Sequence, residues 1–182
     1  MKRPPIHSMG NRSLSLDWAF TVLELLTVMA IIAVLAGLIL AGAGYAQQKA
    51  ARDRARAEIA ALGAALENFK ADQGEYPVGA ANSGTDSSIR LYSALTNGTY
   101  FYDASDTGKY VQVPVYFEYR KDMTGTASGS LFYMDPFGNS YNYRRGDNAN
   151  AVNKGSYDLW STAGTGTTTS ATAQAKWITN WN

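Results

Sequence analysis

The sequence predicts an α+β protein: a long N-terminal helix, membrane-embedded in its first half and amphipathic in its second, packed on a small antiparallel β-sheet that ends in a C-terminal loop. Three observations predict this. Residues 20–40, FTVLELLTVMAIIAVLAGLIL, are apolar except for Thr21, Glu24 and Thr27. The segment that follows carries apolar residues at helical spacing. From residue 110 onward, short runs rich in Tyr, Val and Phe are separated by Gly-, Asn- and Asp-containing turns.

The apolar segment is bounded sharply. Between Asp17 and Lys49 the only charge is Glu24. As a helix, residues 20–44 would extend about 37 Å at roughly 1.5 Å per residue, enough to cross a hydrocarbon core of about 30 Å. A carboxylate at the head of such a segment is costly to bury without a partner, so Glu24 is a candidate functional residue. Lys2, Arg3 and Arg12 precede the segment and favour a cytoplasmic N-terminus. Gly37, Gly42 and Gly44 close it, as a soft point in the helix or as sites of close helix packing.

Residues 45–73 continue the helix. Ile59, Leu62, Leu66 and Phe69 step by three, four and three and share one face, which Ala51 and Ala55 extend. Arg52, Asp53, Arg56, Glu67 and Lys70 can remain on the wet side, and Arg54 with Glu58 forms a helix-supporting i,i+4 pair. The arginines suit a solvated face, anionic lipid headgroups or acidic neighbours. Gly74 and Pro77 stop the helix, and Tyr76 is expected to be a buried aromatic.

Residues 74–109 form a connecting region rich in small and polar residues. It contains a short helix expected over Ser88–Leu95, with Asp86, Ser87 and Ser88 as capping candidates, and an Asn97-Gly98 turn. Over 110–182, strands are expected at Tyr110–Tyr119, where Pro114 argues for an edge or a bulge, at Ser130–Met134, at Ser140–Arg144 and at Ser156–Ser161. DMTGTASG and Asp135-Pro136-Phe137-Gly138-Asn139 read as turns, and Gly146–Gly155 as a loop.

Composition excludes several chemistries. No cysteine is present, so disulfides and thiolate metal sites are ruled out. His7 is the only histidine, which removes most designs for a triad or a zinc site from the rest of the chain. The formal net charge is +1, and from residue 80 onward eight basic residues face eight acidic ones, so no electrostatic footprint for nucleic acid exists. A non-enzymatic protein is the expectation.

The run A-F-T-V-L-E-L-L-T-V-M-A-I-I-A-V-L-A-G-L-I from Ala19 resembles the N-terminus of type IV pilin-like proteins. Three further stretches resemble the major pseudopilin of type II secretion systems. They are A-L-E-N-F-K-A-D-Q-G-E-Y-P at 65–77, M-D-P-F-G-N-S-Y-N-Y-R at 134–144 and G-S-Y-D-L-W-S-T-A-G-T-G at 155–166, with I-T-N-W at 178–181 alongside. The resemblance touches both ends of the chain and covers 78–130 poorly. It implies a leader over 1–19 and prepilin-peptidase cleavage between Ala19 and Phe20. It also implies N-methylation of Phe20 and pairing of Glu24 with the Phe20 amine of a neighbour in a helical homo-oligomeric filament. Partners implied are minor pseudopilins, an inner-membrane assembly platform and, before assembly, membrane lipid. The C-terminal domain would be periplasmic.

The chain departs from the family pattern in several places. Ala19 stands where a Gly is usual, and Asp17 and Trp18 are unusual beside the cut. The family's C-terminal loop commonly holds calcium. Here Thr165 replaces the expected acid, leaving Asp158 as the remnant candidate ligand and a Thr/Ser hydrogen-bonded loop as the substitute. Trp160, Trp177 and Trp181 read as packing groups. Two other functions stay open: a type IV pilin for adhesion, motility or DNA uptake, and a membrane-anchored periplasmic enzyme or binding domain. For the apolar stretch itself, an uncleaved signal anchor or a signal peptide cut near Ala41 or Ala43 also stays open.

Overall fold

The computed structural model describes residues 21–80, 84–101, 110–166 and 170–181. The protein is α+β, with a long N-terminal helix and small antiparallel sheets. The chain divides into two units, residues 1–44 and 45–182.

Within the first unit, helix α1 (Val22–Gln73) begins, and its apolar portion is long enough to cross a membrane. Every large apolar side chain from Val22 to Leu40 is at least half exposed, Val28 being the least at 51%. A helix apolar on all sides has no wet face to turn outward, so it needs lipid or other apolar helices around it.

The second unit is built on residues 45–73 of α1. The predicted face is the buried one: Ala55, Leu62, Leu66 and Phe69 are wholly buried and Ile59 nearly so. The opposite face carries Asp53, Arg56, Ala57, Ala60, Ala64 and Glu67, all exposed. Gly74 ends the helix in a left-handed conformation, φ 84°, with its amide donating to the Lys70 carbonyl at 2.8 Å. Tyr76 is buried, as expected, and its hydroxyl donates to Glu67 at 2.9 Å.

Helix α2 spans Thr85–Leu95, three residues longer at its start than the expected Ser88–Leu95. The capping candidates are therefore inside the helix, and no side chain caps it. Ser87 and Ser88 are buried and donate instead to the Tyr143 and Tyr133 carbonyls. Those carbonyls are long-range partners that local capping rules do not anticipate. Leu91, Tyr92 and Leu95 supply the apolar contacts.

Among the described residues the sheet region is three small antiparallel sheets rather than one. Strands β1 (Thr99–Phe101) and β2 (Tyr110–Gln112) pair, with Phe101 opposite Tyr110. Tyr110–Tyr119 is not one strand: it leaves the ladder after Gln112. Pro114 lacks a donor, and the amides of Tyr116 and Phe117 go to the Leu95 carbonyl, at 2.8 and 3.0 Å. DMTGTASG is likewise not a plain turn. A 3₁₀ turn (Lys121–Met123) runs directly into β3 (Thr124–Ala127), which pairs with β4 (Ser130–Tyr133) across Ser128-Gly129. A bridge between Met134 and Ser140 closes the Asp135–Asn139 turn as expected. Strand β5 (Asn142–Arg145) then pairs with β6 (Tyr157–Ser161), and β6 with β7 (Ile178–Thr179). The middle strand β6 is buried at all five positions.

Candidate functional sites

Three sites carry the residues singled out in the sequence. In the first unit, Ala19 and Phe20 lie outside the described residues, as does the leader over 1–19. Glu24 is described, and its partner is local. Its Oε2 accepts from the Thr21 amide and the Thr21 hydroxyl, both at 2.9 Å, while the Glu24 amide donates back to Thr21 Oγ1 at 3.2 Å. Thr21 immediately precedes Val22, the first helical residue, so this is a capping box in which N-cap and N3 side chains satisfy each other's amides. The signal was in the sequence as T-x-x-E at 21–24. The carboxylate also lies in the first turn, where the helix dipole favours negative charge.

In the second unit, Asp158, the second residue of β6, is wholly buried. Its Oδ2 accepts from the Val152 amide at 2.7 Å and its Oδ1 from the Asn153 amide at 2.9 Å, with Arg144 at 4.0 Å. Both oxygens are directed at hydrogen donors and a guanidinium, so this donor set does not fit calcium, which needs converging oxygen ligands. Asp158 instead ties down the Gly146–Gly155 loop. Gly146 is required there, since a Cβ would lie 2.5 Å from the Asn153 carbonyl oxygen. Among the described residues no group of three or more His, Cys, Asp or Glu is placed to hold a metal ion. The following loop is organised by Thr165, whose hydroxyl donates to the Thr162 carbonyl at 2.6 Å and accepts from Trp177 Nε1 at 3.2 Å. Thr167–Thr169 lie outside the described residues. Trp160 stacks on Trp177 at 5.9 Å and meets Trp181 edge-on at 5.7 Å, so it packs against both of the other indoles.

A third cluster was only half visible in the sequence. Glu58 is buried, with 6% exposure. Its Oε1 receives Arg54 Nε at 2.7 Å and an Arg120 NH2 at 3.1 Å, and its Oε2 receives the Tyr141 hydroxyl at 2.8 Å. Asp122 bridges both arginines from outside, at 2.8 and 3.6 Å. Burial and the bond to Glu58 push the Tyr141 hydroxyl far above its ordinary range, so it remains a donor. Nearby Asp135 is also buried. Its Oδ1 accepts from the Phe137 and Asn139 amides, at 3.0 and 2.8 Å, and its Oδ2 from the Ser161 hydroxyl at 2.5 Å. Burial raises its pKa against those three bonds. Glu58 and Arg54 thus tie α1 to Arg120 and Asp122 at the 3₁₀ turn and to Tyr141 ahead of β5, while Asp135 ties the 135–139 turn to β6. The Arg54–Glu58 spacing signalled a surface helix pair, but nothing local announced that Tyr141 and Arg120 would cover it.

Comparison with protein-family models, with curated proteins and with solved structures returns no match.

Proposed function

We propose that the protein is a structural subunit of a type II secretion pseudopilus, not a catalyst. The observation that carries this reading is a helix apolar on every side, headed by a single carboxylate, that continues unbroken into the amphipathic half of a small α+β domain. Such a surface suits a bilayer before assembly and a bundle of like helices after it. The resemblance at 19–39, 65–77, 134–144 and 155–166 supports the same reading.

In this reading the chain is a single-pass inner-membrane protein with a cytoplasmic N-terminus. Prepilin peptidase cuts between Ala19 and Phe20, and Phe20 is methylated. The subunit then joins a periplasmic filament with minor pseudopilins and an inner-membrane platform. Thr21 holds Glu24 in the free subunit, and in the filament the Phe20 amine of a neighbour supplies the counter-charge. A subunit out of register leaves that carboxylate without its cation, which is how one charge selects the packing.

The N-terminal mass and sequence of protein from native membranes test the reading. A chain beginning at N-methylated Phe20 is the expected result. A chain beginning at Met1, or cut near residue 43, removes the Phe20–Glu24 pair and overturns it.

A further inference from the structure

The stretch of α1 that opens the second unit carries Tyr45, Lys49, Arg52 and Arg56, spaced four, three and four residues apart and so on one helix face. Tyr45 is 76% exposed, and Lys49 is exposed too. Arg52 is half-buried, and its NH2 donates to the Lys176 carbonyl at 2.9 Å. That bond brings the exposed Lys176, 124 residues on, beside the same face. Arg56 is paired with Asp53 at 2.7 Å, and Arg54, Arg120, Arg144 and Arg145 also meet carboxylates. Among the described residues, Lys49, Arg52 and Lys176 are in no ion pair. Asp53 is the only acid in residues 45–57, and residues 170–182 hold none. Three cations without a counter-charge therefore meet where the second unit begins.

We propose that Lys49, Arg52 and Lys176 seat the phosphate of an anionic lipid headgroup on the periplasmic side of the membrane. The inference rests on the single-pass reading above and deepens it by naming the class of lipid. Lys49 follows Gly44, the end of the apolar segment, by five residues, or about 7 Å of helix. The headgroup layer on each side of a bilayer is about 5–7 Å thick, so Lys49 meets its outer edge. Arg52 comes about one turn later, and long basic side chains reach back to that depth along their apolar stems. Tyr45, directly after Gly44, stands at the level where aromatic rings collect at membrane interfaces. A guanidinium held by one carbonyl keeps further N–H groups for phosphate oxygens, which its planar fork matches. The two ammonium groups add charge without demanding a fixed geometry. A zwitterionic headgroup brings its own cation into this cluster, whereas phosphatidylglycerol brings a net negative charge.

The test is an amide-shift titration of the ¹⁵N-labelled full chain in phosphatidylcholine bicelles at constant ionic strength, with phosphatidylglycerol replacing part of the phosphatidylcholine. A lipid spin-labelled in its acyl chain reports insertion separately, by broadening the amides of residues 22–40. Saturable shifts at Lys49, Arg52 and Lys176 as phosphatidylglycerol rises are expected. Lys49→Gln and Lys176→Gln should each weaken the apparent affinity about fivefold, the worth of one cation near an anionic surface. Lys154→Gln, at an exposed lysine in the 146–155 loop, should change nothing. Broadening over 22–40 without phosphatidylglycerol-dependent shifts overturns this proposal and leaves the membrane reading standing. No broadening there overturns both. Shifts that inorganic phosphate reproduces in pure phosphatidylcholine bicelles, or that both glutamine variants leave unchanged, overturn the lipid assignment. Shifts in phosphatidylcholine alone that grow with protein concentration overturn it too, and identify acidic groups of a second copy as the occupant.

Discussion

Glu58 shows how one side chain can look ordinary in sequence and be structural in the fold. With Arg54 four residues away it is a routine helix pair, yet it is buried and holds Tyr141, 83 residues on and just ahead of β5. Glu58→Ala strips a buried hydroxyl of its acceptor and two arginines of their partner. Because Arg54 and Arg120 are 38% and 62% exposed, solvent recovers part of the loss. The expected destabilisation is about 2 kcal/mol by denaturant titration. Tyr141→Phe leaves both ion pairs and should cost about 1.5 kcal/mol. Asp135 makes a prediction in pH. Burial raises its pKa above the ordinary 3.8, so the folded state holds the proton more tightly than the unfolded chain. The stability this contributes is complete below pH 3.8 and is lost as pH rises through the higher folded value. Asp135→Asn keeps the acceptor for the Phe137 and Asn139 amides and cannot ionise. Melting temperatures of the two proteins across weakly acidic pH should therefore diverge, the wild type falling relative to the variant as pH rises. Asp135 was legible as a turn residue, from D-P-F-G-N. Its burial was not, because that depends on Ser161, 26 residues away.

At the scale of elements, α1 was the most legible, since a sustained apolar run followed by a 3.6-residue period leaves few alternatives. The sheets were less so. Tyr110–Tyr119 has strand composition, but Leu95 competes for its amides at Tyr116 and Phe117. β3 has turn composition, and only pairing with β4 makes it a strand. In both segments tertiary partners outweighed local preference. One element contact is tight enough to test. Gly63 sits mid-helix against β6, where an added Cβ would lie 2.8 Å from the Tyr157 hydroxyl oxygen and 3.9 Å from the ring carbon bearing it. Alanine improves a helix interior by about 1 kcal/mol over glycine. Gly63→Ala alone should nonetheless destabilise, because Tyr157 must move. In a Tyr157→Phe background the obstructing oxygen is gone, and the same change should stabilise by up to about 1 kcal/mol. A thermal-denaturation double-mutant cycle reads this sign reversal directly.

For the whole molecule, the division of labour between an apolar helix start and a packed domain was visible in the order of the sequence, because hydropathy changes abruptly after Leu40. A cleft lined by Thr85, Phe132, Asn139 and Thr162 was invisible, since it draws on α2, β4 and the loop after β6, far apart in the chain. The proposed function makes its own prediction at this scale. Glu24→Ala should leave membrane insertion and the fold of residues 45–182 unchanged while reducing filament yield about tenfold or more, scored by crosslinking in spheroplasts followed by immunoblotting. Unchanged yield would sink the pairing argument. The exposed helix also governs how long a stray copy survives. Thirteen large apolar side chains between Val22 and Leu40 stand at least half exposed, far more than a soluble protein tolerates in one place. If the chain is the filament subunit proposed above, a copy that finds neither bilayer nor neighbours would present this apolar surface to chaperones and proteases. On that reading its cellular lifetime would report whether it has been housed.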